Sequence, residues 1–151
     1  MIRKEIADEV VFSWQVLAGR EFELVSNMYI DLFKKHPELK PLFPDDMNAL
    51  AEKVEKTMSI LIKYAYNMDD MVDDLHALGR FHKNKVGVEP QHYPMVIKSF
   101  LRALKKTMGE DYTEKTGRAW QLFMIYSGKH MAGAPPKKGF FSKLKGVLNI
   151  K

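Results

Sequence analysis

The chain has 151 residues, 24 Lys and Arg against 19 Asp and Glu, a formal charge of +5 and no Cys. That length predicts one domain with a single well-buried core, and the absence of Cys excludes disulfides and thiolate metal sites. The charge excess is local, because residues 137–151 carry five Lys and no acid, which leaves 19 basic and 19 acidic residues in the first 136.

A neutral body argues against nucleic acid as a partner, which would call for a basic face. No run of about 18 or more apolar residues occurs, so no membrane span is expected. The acids of the opening MIRKEIADEVV are out of place in an export signal. With the lack of Cys, this predicts a cytoplasmic protein.

Residues 4–18 read as a helix, with Ile6, Val10, Phe12 or Ser13, Trp14 and Leu17 at helical spacing. Gly19 marks a bend. Residues 20–36 give a second helix whose inner stripe is Phe22, Val25, Tyr29, Leu32 and Phe33. Pro37 forces His36 out of helical geometry, so the helix ends there. PELKPLFP makes a short turn and a corner that presents Phe43. Asp45 or Asp46 then caps a helix over about 47–66, with Leu50, Val54, Met58, Leu61, Ile62 and Ala65 inward.

Asn67 and Asp69–Asp70 separate that helix from the next. The stretch LHALGRFHKNKVGVEPQHY, residues 75–93, organises the rest of the chain. Leu75, Leu78 and Phe81 share one helical face beside His82, and KNKVGVEP is too rich in Gly, Lys and Asn to continue the helix. Pro90 suits a first helical turn, and a new helix is expected from Gln91 to 108, stopped by Gly109. Thr113 caps the last long helix, 114–132, with Trp120, Phe123, Met124 and Ser127 inward. No segment alternates with period two for long enough to be a strand, so the chain is all-α. Pro135–Pro136 end the last helix. The tail beyond it is basic and amphipathic, with Phe140, Phe141, Leu144, Val147 and Leu148 among lysines. This predicts a body over 1–136 and a tail over 137–151, which either lies on an anionic membrane or a partner, or packs back and stays soluble.

Ten Met and seventeen aromatic residues fill this pattern, and such stripes are ordinarily core. A lone helical histidine among five is ordinarily a satisfied or exposed side chain. A neutral imidazole at a helix end, beside an apolar face and a rigid exit loop, is also held still enough to ligate a metal.

Five segments decide the matter. LGRFHKNKVGV followed by HY resembles the proximal-histidine segment of bacterial single-domain globins, close to the globin domain of flavohaemoglobins. MYIDLFKKHPELKPLF is similar to their second helix and corner, and LAEKVEKTM, about thirty residues before His82, falls where they have the distal helix. Trp14 and AWQLFMIY resemble parts of the first and last helices. The resemblance covers residues 4–132 and implies a globin fold, a three-on-three helical sandwich.

It also implies a cofactor, haem b (iron protoporphyrin IX), and a set of roles. His82 resembles the proximal iron ligand, with its second ring nitrogen expected to bond the Leu78 carbonyl one turn earlier. Phe43 resembles the phenylalanine wedged against the haem. Lys53 is placed to reach a propionate, or else is an ordinary solvated lysine. Leu78, Val88, Tyr93 and Val96 are expected to line the cofactor. Tyr29, Leu50 and Val54 are expected to form the distal pocket, with the Tyr29 hydroxyl donating to bound O₂ or, alternatively, to a core carbonyl.

Two departures from the family pattern bear on chemistry. Leu50 stands where many globins have His or Gln, so no ligand comes from that position. Tyr93 matches the proximal tyrosine of flavohaemoglobins, but no acid lies between Trp120 and the terminus to match their last-helix glutamate. The resemblance therefore implies reversible binding of O₂, CO and NO for storage, transport or sensing. The alternative is a nitric oxide dioxygenase served by a separate reductase. A helical interaction module that has lost haem is a third reading, against which His82 and Phe43 both stand.

Overall fold

A computed structural model of the chain describes residues 1–134. Pro135, Pro136 and the expected 137–151 tail lie outside the described residues. Six α-helices make the frame: α1 Lys4–Val16, α2 Glu21–Lys35, α3 Met47–Lys63, α4 Val72–Phe81, α5 His92–Met108 and α6 Glu114–Ala132. Short 3₁₀ segments, Pro37–Leu42, Ala65–Met71 and Gly109–Asp111, join α2 to α3, α3 to α4 and α5 to α6. α1, α3 and α4 form one layer; α2, α5 and α6 form the other, with α2 against α5 and α6 spanning α1, α4 and α5. No strand occurs among the described residues, and none of their helices is long and apolar enough to cross a membrane.

Local signals account for most boundaries. Asp46 Oδ1 accepts the Ala49 N–H at 3.1 Å, and Thr113 Oγ1 accepts the Thr116 N–H at 3.1 Å, so both caps sit where expected. Gly19 takes φ +86°, a left-handed conformation that turns the chain from α1 to α2. The expected helix over 47–66 is shorter. It stops at Lys63, and the Ala65–Met71 turns break at Asn67, with φ −135° and ψ 44°.

Of the alternatives Phe12 and Ser13 the structure buries Ser13, and Phe22, expected inside, is exposed. Phe12 is 60% exposed and Phe22 38%, while Leu24 and Met28, outside the expected stripe, are buried. The rotation of α1 has a polar cause. Trp120, fully buried on α6, donates its indole N–H to Ser13 Oγ at 2.7 Å. Ser13 in turn donates to the Glu9 carbonyl at 2.7 Å. Turning Ser13 inward satisfies the largest buried side chain and swings Phe12 to solvent. Trp120 also packs on Trp14, Phe100 and Phe123, with ring centroids 6.0, 5.2 and 5.7 Å away, which ties α1 and α5 to α6.

The other layer is clasped at its edge. Arg102 on α5 donates to both carboxylate oxygens of Asp31 on α2, at 2.8–3.1 Å. That pairing holds the Asp31 carboxyl below its usual range.

Ser13→Ala leaves the Trp120 N–H buried without its acceptor. An orphaned buried donor costs about 1–3 kcal/mol, so the urea midpoint of unfolding should fall accordingly. An unchanged midpoint would mean that the indole finds another partner.

Candidate functional site

The site is built from the end of α4 outward. His82 caps α4 in helical geometry, with φ −57° and ψ −44°. The chain then closes a π turn over His82–Val86, where the sequence predicts an irregular loop. The His82 carbonyl accepts the N–H groups of Gly87 at 2.9 Å and Val88 at 2.8 Å. Gly87 makes this possible at φ +90°, which a side chain would strain. The backbone of His82 is thus bonded on both sides.

The imidazole is fixed differently from expectation. The Leu78 carbonyl is engaged by the backbone N–H of His82 itself, the ordinary helical bond. The bond recorded for Nδ1 runs instead to Tyr93 Oη on α5, at 3.3 Å. Burial pushes the His82 imidazole down to about 4, so the ring is neutral at physiological pH. Burial also pushes the Tyr93 phenol up to about 12, which keeps its proton on. In the tautomer that carries its proton on Nδ1, donating to the phenolic oxygen, the Nε2 lone pair is left available.

A second group forms where α2, the corner and α3 meet. Tyr29, Phe33 and Phe43 make an aromatic triangle with ring centroids 5.0–6.0 Å apart. Phe33, assigned by the sequence to core alone, belongs to this group. Among the described residues the Tyr29 hydroxyl has no hydrogen-bond partner, and burial raises its phenol far above the ordinary range. The alternative of a core tyrosine tied to a carbonyl is not what forms.

The remaining residues fall around these two groups. Leu78 is core, and Tyr29, Val54, Phe81 and Val96 pack on the same core. Leu50 and Val88 are half-buried and Lys53 is exposed. Val88 and Tyr93 line a cavity of about 90 Å³ with Gly79, Arg80, Lys83 and Met131.

Gly79 sets the position of α4. A Cβ there would fall 2.7 Å from Met131 Cα and closer still to its carbonyl, so α4 and α6 touch backbone to backbone. The sequence signal was available: a mid-helix glycine costs about 1 kcal/mol relative to alanine and usually has a packing reason. Gly128 on α6 faces Tyr93 and Ile97 more loosely, since a Cβ there would meet Ile97 Cδ1 at 3.5 Å and Tyr93 Cδ1 at 3.7 Å, ordinary contact distances.

The donor set indicates what can bind. No group of three or more His, Cys, Asp or Glu able to hold a metal occurs among the described residues. One anchored neutral imidazole suits a single axial ligand to a metal whose other positions a macrocycle fills, rather than a bare ion.

Comparison with known proteins agrees with this arrangement. A family model described as "Globin" matches residues 26–126, a range that contains every candidate residue from Tyr29 to Val96. A "Flavohemoprotein" of Rhizobium meliloti (strain 1021) is 28% identical over 123 residues, 80% of this chain and 30% of that protein. An "Uncharacterized globin-like protein" of Aquifex aeolicus (strain VF5) is 30% identical over 123 residues, 80% of this chain and 85% of that one. The chain therefore spans about 30% of the length of the flavohemoproteins that it matches. The solved structure of a bacterial globin from Campylobacter jejuni superposes with a TM-score of 0.76 at 20% identity, over 98% of this chain and 100% of that one.

Gly79→Ala should force α4 off α6. Overpacking of this kind costs about 1–3 kcal/mol, read as a lowered urea midpoint. Gly19→Ala is the contrast, since a Cβ there meets nothing within 4 Å and only the positive φ is strained. Equal stability of Gly79→Ala and the parent would mean that the two helices separate at no cost.

Proposed function

The chain belongs to the globin family, and from that premise we propose that it holds haem b through His82 and binds O₂, CO and NO reversibly. When bound, the haem iron supplies one open coordination position for a diatomic gas. The chain supplies the rest. His82 presents Nε2 as the axial donor, with Tyr93 fixing the ring from behind. Phe43 would pack on the ring face, Leu78, Val88 and Val96 would line it, and Lys53, exposed on α3, would be placed to reach a propionate. Leu50 and Val54 keep the gas side apolar and offer no lone pair.

The observation that carries this reading is the Tyr29 hydroxyl, which has no hydrogen-bond partner among the described residues and stands on a half-buried side chain in the layer opposite α4. A donor left open beside an apolar core is free to serve a ligand. Bound O₂ carries partial negative charge and accepts such a bond; CO does so far less.

A nitric oxide dioxygenase working with a separate reductase is the second reading. The Tyr93–His82 contact favours it, because it matches the first link of the flavohaemoglobin proximal relay. The lack of any acid after Trp120 works against it. NADH-driven NO consumption with an added reductase separates the two readings.

Tyr29→Phe keeps the ring and removes only the donor. A hydrogen bond of about 1.5–3 kcal/mol corresponds to roughly tenfold to a hundredfold faster O₂ release in stopped flow. CO release should change much less, and that contrast separates a lost hydrogen bond from general damage. Equal O₂ off-rates would withdraw the donor role. His82→Ala should lose most of the haem, or hold it only with added imidazole. A normal five-coordinate ferrous spectrum in that variant would overturn the ligand assignment.

A further inference from the structure

The close approach of α4 and α6 at Gly79 and Met131 has a second product. One turn before Gly79, His76 projects from α4; one residue before Met131, His130 projects from α6. Their rings meet, with centroids 5.7 Å apart and planes inclined by 51°. Both side chains are half-buried. Tyr126 stands edge-on to His130 at 4.7 Å, and its hydroxyl donates to Asp69 Oδ1 at 2.8 Å.

We propose that His76 and His130 form a two-histidine site for a borderline divalent cation of the zinc, nickel or copper class, clamping α4 to α6. The spacing carries the proposal. A ligating imidazole has its nitrogen about 2.0–2.1 Å from the metal, which places the ring centre about 3.2 Å away. Two rings on one tetrahedral ion are then about 5.2 Å apart, and about 5.8 Å if the angle at the metal opens to 130°. The observed 5.7 Å lies inside that interval.

Preorganisation supports it as well. The two histidines come from different helices whose backbones are in contact, so the packing that fixes α4 on α6 also brings the two rings to one place. Tyr126 limits the swing of His130 and, through its bond to Asp69, holds a carboxylate beside the pair. That carboxylate supplies negative charge near an incoming cation. Against it stand the charges that face His130 from its own helix and from the chain start, the Lys129 ammonium and the amino group of Met1. Met1 is itself 3.8 Å from Asp69 Oδ1. With two protein ligands, water fills the remaining positions, and copper should bind more tightly than nickel or zinc.

The site is separate from the one proposed for haem. His76 and His82 are six residues apart on α4, about 120° around the helix from each other at about 100° per residue. Zinc binding therefore neither requires nor reports the His82 reading.

The test is calorimetric titration of the haem-loaded full chain with zinc(II) at pH 7.5. One equivalent should bind with micromolar affinity and raise the midpoint of thermal unfolding. His76→Ala and His130→Ala, and the milder His76→Asn and His130→Gln, should each weaken that step tenfold or more while retaining the haem spectrum. His92→Ala and His36→Ala should leave it unchanged. Binding should weaken as the pH falls toward 6, because the ligands must be neutral. The proposal is overturned if the His76 and His130 variants bind zinc like the parent, or if no one-to-one step occurs. Loss of the step in His92→Ala or His36→Ala would likewise assign the ion elsewhere.

Discussion

Helix α6 acts as the template on which the other elements take their positions, and it does so by withholding side chains as much as by supplying them. At Trp120 it presents the largest buried ring to α1 and α5. At Gly128 it leaves room for Tyr93 and Ile97. At Met131 it offers bare backbone to Gly79, so that α4 rests directly on it. Interiors packed like crystals transmit such constraints, because a helix in contact along its backbone has no slack in which to shift. His82 therefore inherits its place from a contact three residues away. Its ring is then set by Tyr93, itself seated on the same helix.

The two tyrosines of the site show one physical effect used in two ways. Burial raises both phenols, so both keep their protons at neutral pH. Tyr93 faces an imidazole nitrogen within hydrogen-bond distance; Tyr29 faces no partner among the described residues. A phenol that stays protonated cannot draw the Nδ1 proton away, and no acid after Trp120 is present to make it a stronger acceptor. The imidazole thus remains a neutral, moderate donor. Under the proposed function, a moderate donor would suit a gas that leaves again unchanged, whereas cleavage of an O–O bond would call for stronger electron push.

Much of this was legible in the sequence, and the failures share a cause. Helix existence follows from period 3.6, and Asp46, Thr113 and Gly19 mark boundaries by local chemistry that tertiary context did not override. Phe22 was misplaced, and Phe12 could not be told from Ser13, because periodicity defines a stripe without fixing the rotation of the helix. For α1, the indole of Trp120, 107 residues away, chose Ser13 over Phe12. The segment after His82 has the composition of a loop, yet its carbonyl bonds close a π turn. The Leu78 carbonyl was the local acceptor on offer to Nδ1, whereas the bond that forms is to Tyr93 across the helix interface. His82, Phe43 and Tyr29 were legible as a motif. Their partners, Tyr93 for the ring and Phe33 for the aromatic triangle, are facts of packing between helices.

His76 stands on α4 and His82 at its end, and that connection has a mechanical meaning. A side chain reaches about 6 Å from the axis of a helix some 10–12 Å across. Turning α4 by about 10° therefore carries the His82 nitrogen sideways by roughly 1 Å, which is enough to separate a well-placed axial ligand from a strained one. Gly79 fixes how near α4 lies to α6 but, having no side chain, resists rotation weakly. His76 is the residue on α4 whose ring meets a ring from α6 one turn before that contact. An ion shared by His76 and His130 would add a second tie between α4 and α6 beside the Gly79 contact.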